Sequence, residues 1–290
     1  MNVSVTGAFV YFTIPILGGI PITQTTVSSF LVAVLLIVAS LKLGRNLKTR
    51  PSGTQVLVEK GVGMIYDLTA SSMGEKNIAW APFMGTLFLC SMFGSFIGLT
   101  GFLRSATADI NCTMVWALMV TAIIWYNNIK NNGFVGWLKG FTEPVAVMTP
   151  MNIISEIAQP FSMAFRHFGN IAGGGVITSI LYVAFSILSA AVMNLVRSSG
   201  PVVCAILIVF GILLWTVGKK KLGKKIFGTL TIVLGVFGLL EIFGILADVP
   251  VLSFGIPAVL SIYFDIFSGF VQALVFTLLS MVYIAGSLPE

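Results

Sequence analysis

Arg166 stands in a run, residues 148–196, whose only other charged side chain is Glu156. A guanidinium stays protonated at every physiological pH. Placing one at the bilayer centre costs about 3 kcal/mol on insertion scales and about 10 or more on an isolated helix. A group kept at that cost points to chemistry done with a fixed positive charge: attracting an anion, favouring the ionised form of a carboxylic acid, or barring a cation. A structural ion pair, or an end residue snorkelling to the interface, is the alternative.

The neighbours of Arg166 are spaced to share its face. Ser155, Gln159, Ser162, Arg166 and Asn170 follow at intervals of four, three, four and four, which puts them on one stripe of an α-helix. Ile, Ala, Met and Phe fill the opposite side. A polar stripe at membrane depth points to a wetted path, with Glu156 beside its start. Ser and Asn also serve as glue between membrane helices.

A second stripe lies near the C-terminus. Ser261, Asp265, Ser268 and Gln272 recur at intervals of four, three and four, and Asp265 is the only acid in the run 251–288. A carboxyl there is placed to relay protons, or else it is a helix-end carboxylate wetted at the outer interface. His167 is the only histidine. It turns about 100° from Arg166, so packing or an interface contact suits it better than proton transfer. Glu241 is either a second acid on the entry path or an interfacial charge.

Other chemistry is not indicated. The three cysteines, Cys90, Cys112 and Cys204, are scattered through apolar runs and read as small buried hydrophobes, not as a disulfide framework or metal site. No phosphate-binding GxxxxGK[ST] loop, HExxH or GxSxG occurs. No cofactor, metal or nucleotide site of the chain's own is therefore expected.

These residues need elements that hold them in lipid. Of the 290 residues 57% are hydrophobic and 9% charged, with mean hydropathy +1.02, far outside the range of a soluble domain. The net charge of +6 reports topology, not nucleic acid, because the basic residues lie in short segments between apolar runs. Runs long enough to cross a bilayer fall at 27–43, 80–103, 110–126, 148–196, 201–217, 226–247 and 251–288.

The run 148–196 is too long to cross upright as a helix, at about 70 Å, so it must tilt, bend or break, and Pro160 is the expected kink. Residues 1–26, interrupted by Gly7, Pro15, Gly18, Gly19 and Pro21, are expected at the outer interface. Residues 55–77 read as an amphipathic surface helix. Lysines and arginines cluster after the first, third and fifth runs, including five lysines between 219 and 225. Those loops are assigned to the cytoplasm, giving an outside N-terminus, a cytoplasmic C-terminus and one membrane domain.

The stretch 155–170, ending Phe165-Arg166-His167-Phe168-Gly169-Asn170, resembles the signature of the ATP synthase a subunit family: an Arg, any residue, then Phe-Gly-Asn. Phe264-Asp265-Ile266-Phe267-Ser268-Gly269-Phe270-Val271-Gln272-Ala273 with Phe276 is similar to that family's last helix. The resemblance takes in most of the chain outside residues 198–248, which read as an inserted transmembrane hairpin. His167 stands where Leu is usual and Gln159 where a basic residue is frequent. Gly175 and Asp265 occupy positions that carry Glu and His in some members.

The resemblance implies an all-α membrane protein, a multi-pass helical bundle whose two long tilted helices form a hairpin facing a rotor ring. It implies an ion-translocating stator in the membrane sector of an F-type ATP synthase, in a bacterial plasma membrane. Its partners would be the c-ring, the peripheral stalk b subunits and lipid, with no nucleic acid. Arg166 would be the essential stator arginine. Ser155, Glu156, Gln159, Ser162, Asn170, Asp265, Ser268 and Gln272 would lie along half-channels for H+ or Na+. The rival from a different class is a secondary transporter using a midplane arginine for an anionic substrate, which inverted repeats would favour; none is found.

Overall fold

The computed structural model describes residues 9–15, 19–45, 47–50, 53–100, 102–143, 145–198, 200–217, 222–242, 259–260 and 262–289. Within them, the side chains of 14, 20, 192, 193, 195–198, 217, 222 and 241 lie outside the description. Ser261, the Glu241 side chain, Lys219 to Lys221 and the start of the last predicted run therefore fall outside it as well.

The chain opens with a hairpin of two strands, β1 Val10–Ile14 and β2 Ile20–Thr23, paired antiparallel with Ile14 opposite Ile20. Aromatic and β-branched residues favour a pleated ribbon, and Gly19 at φ +92° supplies the turn's left-handed residue. Thr23 then caps α1, Gln24–Gly44, its side chain accepting from the Thr26 amide.

Next come α2 Thr54–Met73, α3 Ala81–Phe96, α4 Ile110–Gly140 and α5 Thr149–Ser198. After these come α6 Gly200–Val217 and α7 Leu222–Ile242. A π-helical turn, Tyr263–Ser268, leads into α8, Gly269–Ser287. Six described helical segments are long and apolar enough to cross a membrane, and α6 is a shorter apolar helix. The protein is thus an all-α multi-pass membrane protein, as its composition predicts.

Two differences from the sequence reading have local causes. The third run does not end as a helix near residue 126: α4 continues until Gly133, whose φ of +70° and ψ of 165° break it. Only glycine takes such a conformation without strain. The last run is not a uniform α-helix, because the π turn spans Asp265 and Ser268. α5 is continuous through Pro160.

The chain divides into two compact units. One comprises residues 5–176 and 262–290. In it α8 packs on α3, α2 and α4, around a core built from Met73, Met84, Leu87, Ala117, Val120, Met163, Ala164, Phe276 and Met281. Small residues let these helices close up, as bilayer packing requires: a Cβ on Gly269 would meet the Ser95 Cβ at 3.0 Å. Asn131 ties down the far end of α8 by donating to the Ser287 carbonyl at 2.9 Å.

The other unit holds residues 177–261. Its described part is dominated by α6 and α7, which run antiparallel at backbone contact. A Cβ on Gly211 would fall 2.8 Å from the Gly228 carbonyl oxygen, and one on Gly235 2.8 Å from that of Cys204. Overpacking of this kind costs about 1–3 kcal/mol. Gly235→Val is therefore expected to lower the thermal unfolding midpoint of this hairpin in detergent; an unchanged midpoint would contradict the close approach.

Candidate functional site

Along α5 the buried residues Pro160, Met163, Ala164, His167, Ile171 and Gly174 recur at helical spacing and face the first unit's interior. The polar stripe emerges beside them. Ser155, Ser162 and Arg166 are exposed, while Glu156, Gln159 and Asn170 are half-buried at the margin. Arg166 has no hydrogen-bond or ion-pair partner among the described residues. Its surroundings are apolar and equally open, with Phe161 at 46% and Phe165 at 52% exposure.

Asn170 is where the two stripes meet. Its side-chain amide donates to Gln272 Oε1 at 3.4 Å, joining α5 to α8 one turn beyond Arg166. Gln272 is 6% exposed, and its Nε2 is buried without a hydrogen-bond partner among the described residues. A buried, unmatched donor of this kind carries a desolvation penalty of about 1–3 kcal/mol, which a polar visitor would relieve. Ser268 is buried one turn earlier and Asp265 is half-buried in the π turn. No hydrogen bond or ion pair joins Asp265 to Arg166, and among the described residues of the two stripes only Asn170 and Gln272 are joined directly.

The π turn has its own support. A Cβ on Gly174 would lie 2.9 Å from the Phe264 ring, so the missing side chain on α5 seats the residue before Asp265. π turns are rare and concentrate at functional sites. A small residue on α5 is thus put to use at Gly174, against the last helical segment.

Toward the other end of α5 lies a cavity of about 450 Å³ lined by Asn128, Asn132, Glu143, Asn152, Ser155 and Glu156. Trp125 Nε1 donates to Glu156 Oε1 at 2.6 Å, orienting that carboxylate at the cavity edge. Asn152 donates to the carbonyls of Phe141 and Glu143 at 2.9 and 3.1 Å, holding the loop after α4 over α5. Sequence reasoning singled out Ser155 and Glu156 but missed Trp125, Asn128, Asn132, Glu143 and Asn152. The asparagines at 127, 128, 131 and 132, clustered just after an apolar run, were the available signal.

His167 is fully buried and takes no part in the exposed stripe. Its Nε2 lies 3.2 Å from the Ser91 hydroxyl, and its ring stands edge-on to Trp116 and Phe276. Packing or an interface contact is the expectation for it, and its surroundings are those of a buried ring among α3, α4 and α8.

The family described as ATP synthase A chain matches residues 26–218, a stretch that includes Arg166, Asn170 and the cavity. The chain belongs to that family. Over 287 residues it is also 29% identical to the ATP synthase subunit a, sodium ion specific, of Propionigenium modestum, with 94% of this chain and 76% of that protein aligned. This A chain is accordingly an ion-translocating, multi-pass component of the ATP synthase membrane sector, part of a multi-subunit complex with a c-ring. That membership displaces the anion-transporter reading.

The contact between Asn170 and Gln272 is directly testable. In an A chain lacking Cys90, Cys112 and Cys204, the pair Asn170→Cys and Gln272→Cys is expected to be bridged in high yield by a short bis-methanethiosulfonate reagent. A yield no higher than that of Asn170→Cys with Val282→Cys, whose second position is exposed elsewhere on α8, would contradict the pairing.

Proposed function

We propose that this A chain conducts the coupling ion past the rotor through two half-channels that Arg166 keeps apart. The observation that carries the reading is Arg166 itself: a permanent cation on an exposed apolar face, one turn from the Asn170–Gln272 joint, with no partner among the described residues. An exposed charge among Phe161 and Phe165 suits a face met by a partner bearing carboxylates, which the c-ring would supply. Lipid tails would not satisfy it.

In this account the ion enters from outside past Asp265, Ser268 and Gln272. The free Gln272 amide offers a hydrogen bond to water or to an ion's hydration shell. The ion neutralises a ring carboxylate and travels with the ring. On its return each carboxylate meets Arg166, and an opposite charge within about 4–6 Å favours the ionised form. The released ion leaves by Ser162, Gln159, Ser155 and Glu156 toward the cavity that Glu143 and the asparagines line. The fixed guanidinium also repels a cation that would cross directly. A membrane potential supplies about 2.3 kcal/mol per charge per 100 mV to turn the ring.

The remaining assignments belong to the same proposal. The setting is a bacterial plasma membrane with the N-terminus outside, and the stator is anchored by peripheral stalk b subunits. H+ and Na+ both fit the polar groups named here, because the ring contributes the remaining ligands.

Arg166→Ala is expected to abolish ion-driven ATP synthesis in reconstituted vesicles, to background, while the complex still assembles. Retained coupling at more than a tenth of the wild-type rate would refute the reading. Trp125→Phe, which removes only the donor to Glu156, is expected to slow coupled synthesis about three- to tenfold, measured in the same vesicles. An unchanged rate would remove Glu156 from the exit path.

A further inference from the structure

We propose that His167 is a positioning residue: it fixes the depth of α8 against α5, so that Gln272 meets Asn170 beside Arg166. The inference rests on the ion pathway proposed above and adds a residue to it.

The joint does not hold itself. A hydrogen bond of 3.4 Å is long and correspondingly weak, and Gln272 Nε2 has no partner among the described residues. Something adjacent must set the register of the two helices. His167 is one peptide bond from Arg166 and one turn from Asn170 on α5, and it is fully buried. An imidazole among apolar helices carries a desolvation cost that leucine would not, so its presence calls for polar contacts.

Those contacts reach three other segments. Nε2 meets Ser91 on α3 at 3.2 Å. The ring is 6.2 Å from Trp116 on α4 at 72°, and 5.6 Å from Phe276 on α8 at 73°. Both are edge-to-face arrangements, a geometry that aromatic quadrupoles favour. Phe276 follows Gln272 by one helical turn. Nδ1 is buried without a hydrogen-bond partner among the described residues. One imidazole therefore meets Ser91 of α3 through Nε2 and stands edge-on to Phe276 of α8. It indexes α8 to α3 while carrying Arg166 on the adjacent residue.

Space filling and positioning predict opposite orders for substitutions. Leu fills an apolar box better than Asn or Gln, so a filler role makes His167→Leu the mildest change. Positioning makes it the worst, because Asn and Gln keep a polar group that can meet the Ser91 hydroxyl and Leu does not. In the intact complex, His167→Leu is expected to assemble and to lower ion-driven ATP synthesis about three- to tenfold. His167→Asn or His167→Gln is expected to recover part of that loss. Introduced into the cysteine pair at 170 and 272, His167→Leu is expected to halve the cross-link yield at least.

Ser91→Ala, which leaves the ring in place, serves if the histidine variants fail to assemble, and should lower both readouts in the same direction. Full activity and full cross-linking in His167→Leu, or in Ser91→Ala where that variant decides, would overturn the inference, as would Leu outperforming Asn and Gln. Should Arg166→Ala also retain coupling, the ion-pathway reading itself has failed; if Arg166→Ala is inactive, only the role of His167 has.

Discussion

A guanidinium at membrane depth has to be compensated, since lipid provides neither acceptors nor counter-charge. Everything around Arg166 can be read as a response to that requirement. Its own chain buries the adjacent face of α5, through Met163, Ala164 and His167, and leaves the arginine outward. No described residue supplies the compensation, and we propose that it comes from what meets this face from outside the chain. A cation whose partner arrives and departs can act on that partner, whereas one locked in an internal ion pair can only stabilise. This difference separates a stator charge from a structural one.

The scaffold serves the same end by bringing helix backbones unusually close. Ser95 lies against Gly269, and Phe264 sits where Gly174 has no side chain. In a bilayer such approach substitutes for the hydrophobic drive that lipid cannot give between helices. It also makes the register between α5 and α8 discrete, and a joint as weak as Asn170 with Gln272 needs a discrete register to be reproducible. The glycine contacts of α6 and α7 apply the same device in the second unit.

How much of this could be read from residues alone depended on whether the information was local. The apolar runs gave the helices because length and hydropathy set them. The α5 stripe was legible because that helix is regular through Arg166, so spacing maps onto angle. The stripe on the last run was less so: one π turn at Tyr263–Ser268 alters the angular relation of Asp265 to Gln272, and nothing in the spacing of four, three and four announces it. The break at Gly133 and the strand pairing of Val10–Ile14 depend on backbone conformation that glycine and β-branched residues permit without dictating. The box around His167 draws Ser91, Trp116 and Phe276 from three separate helices, which periodicity within one helix cannot reveal. Family resemblance gave the arginine a role, but it offered no account of a histidine where leucine is usual.

The central claim is that Arg166 stands between two aqueous paths opening on opposite sides of the membrane. Single cysteines at positions 155, 159, 265 and 268, in an A chain otherwise free of cysteine, can be challenged in vesicles of known orientation by a membrane-impermeant thiol reagent added to one side at a time. With two such paths, 155 and 159 react from the cytoplasmic side only and 265 and 268 from the outer side only. Labelling of both pairs from the same side would contradict it.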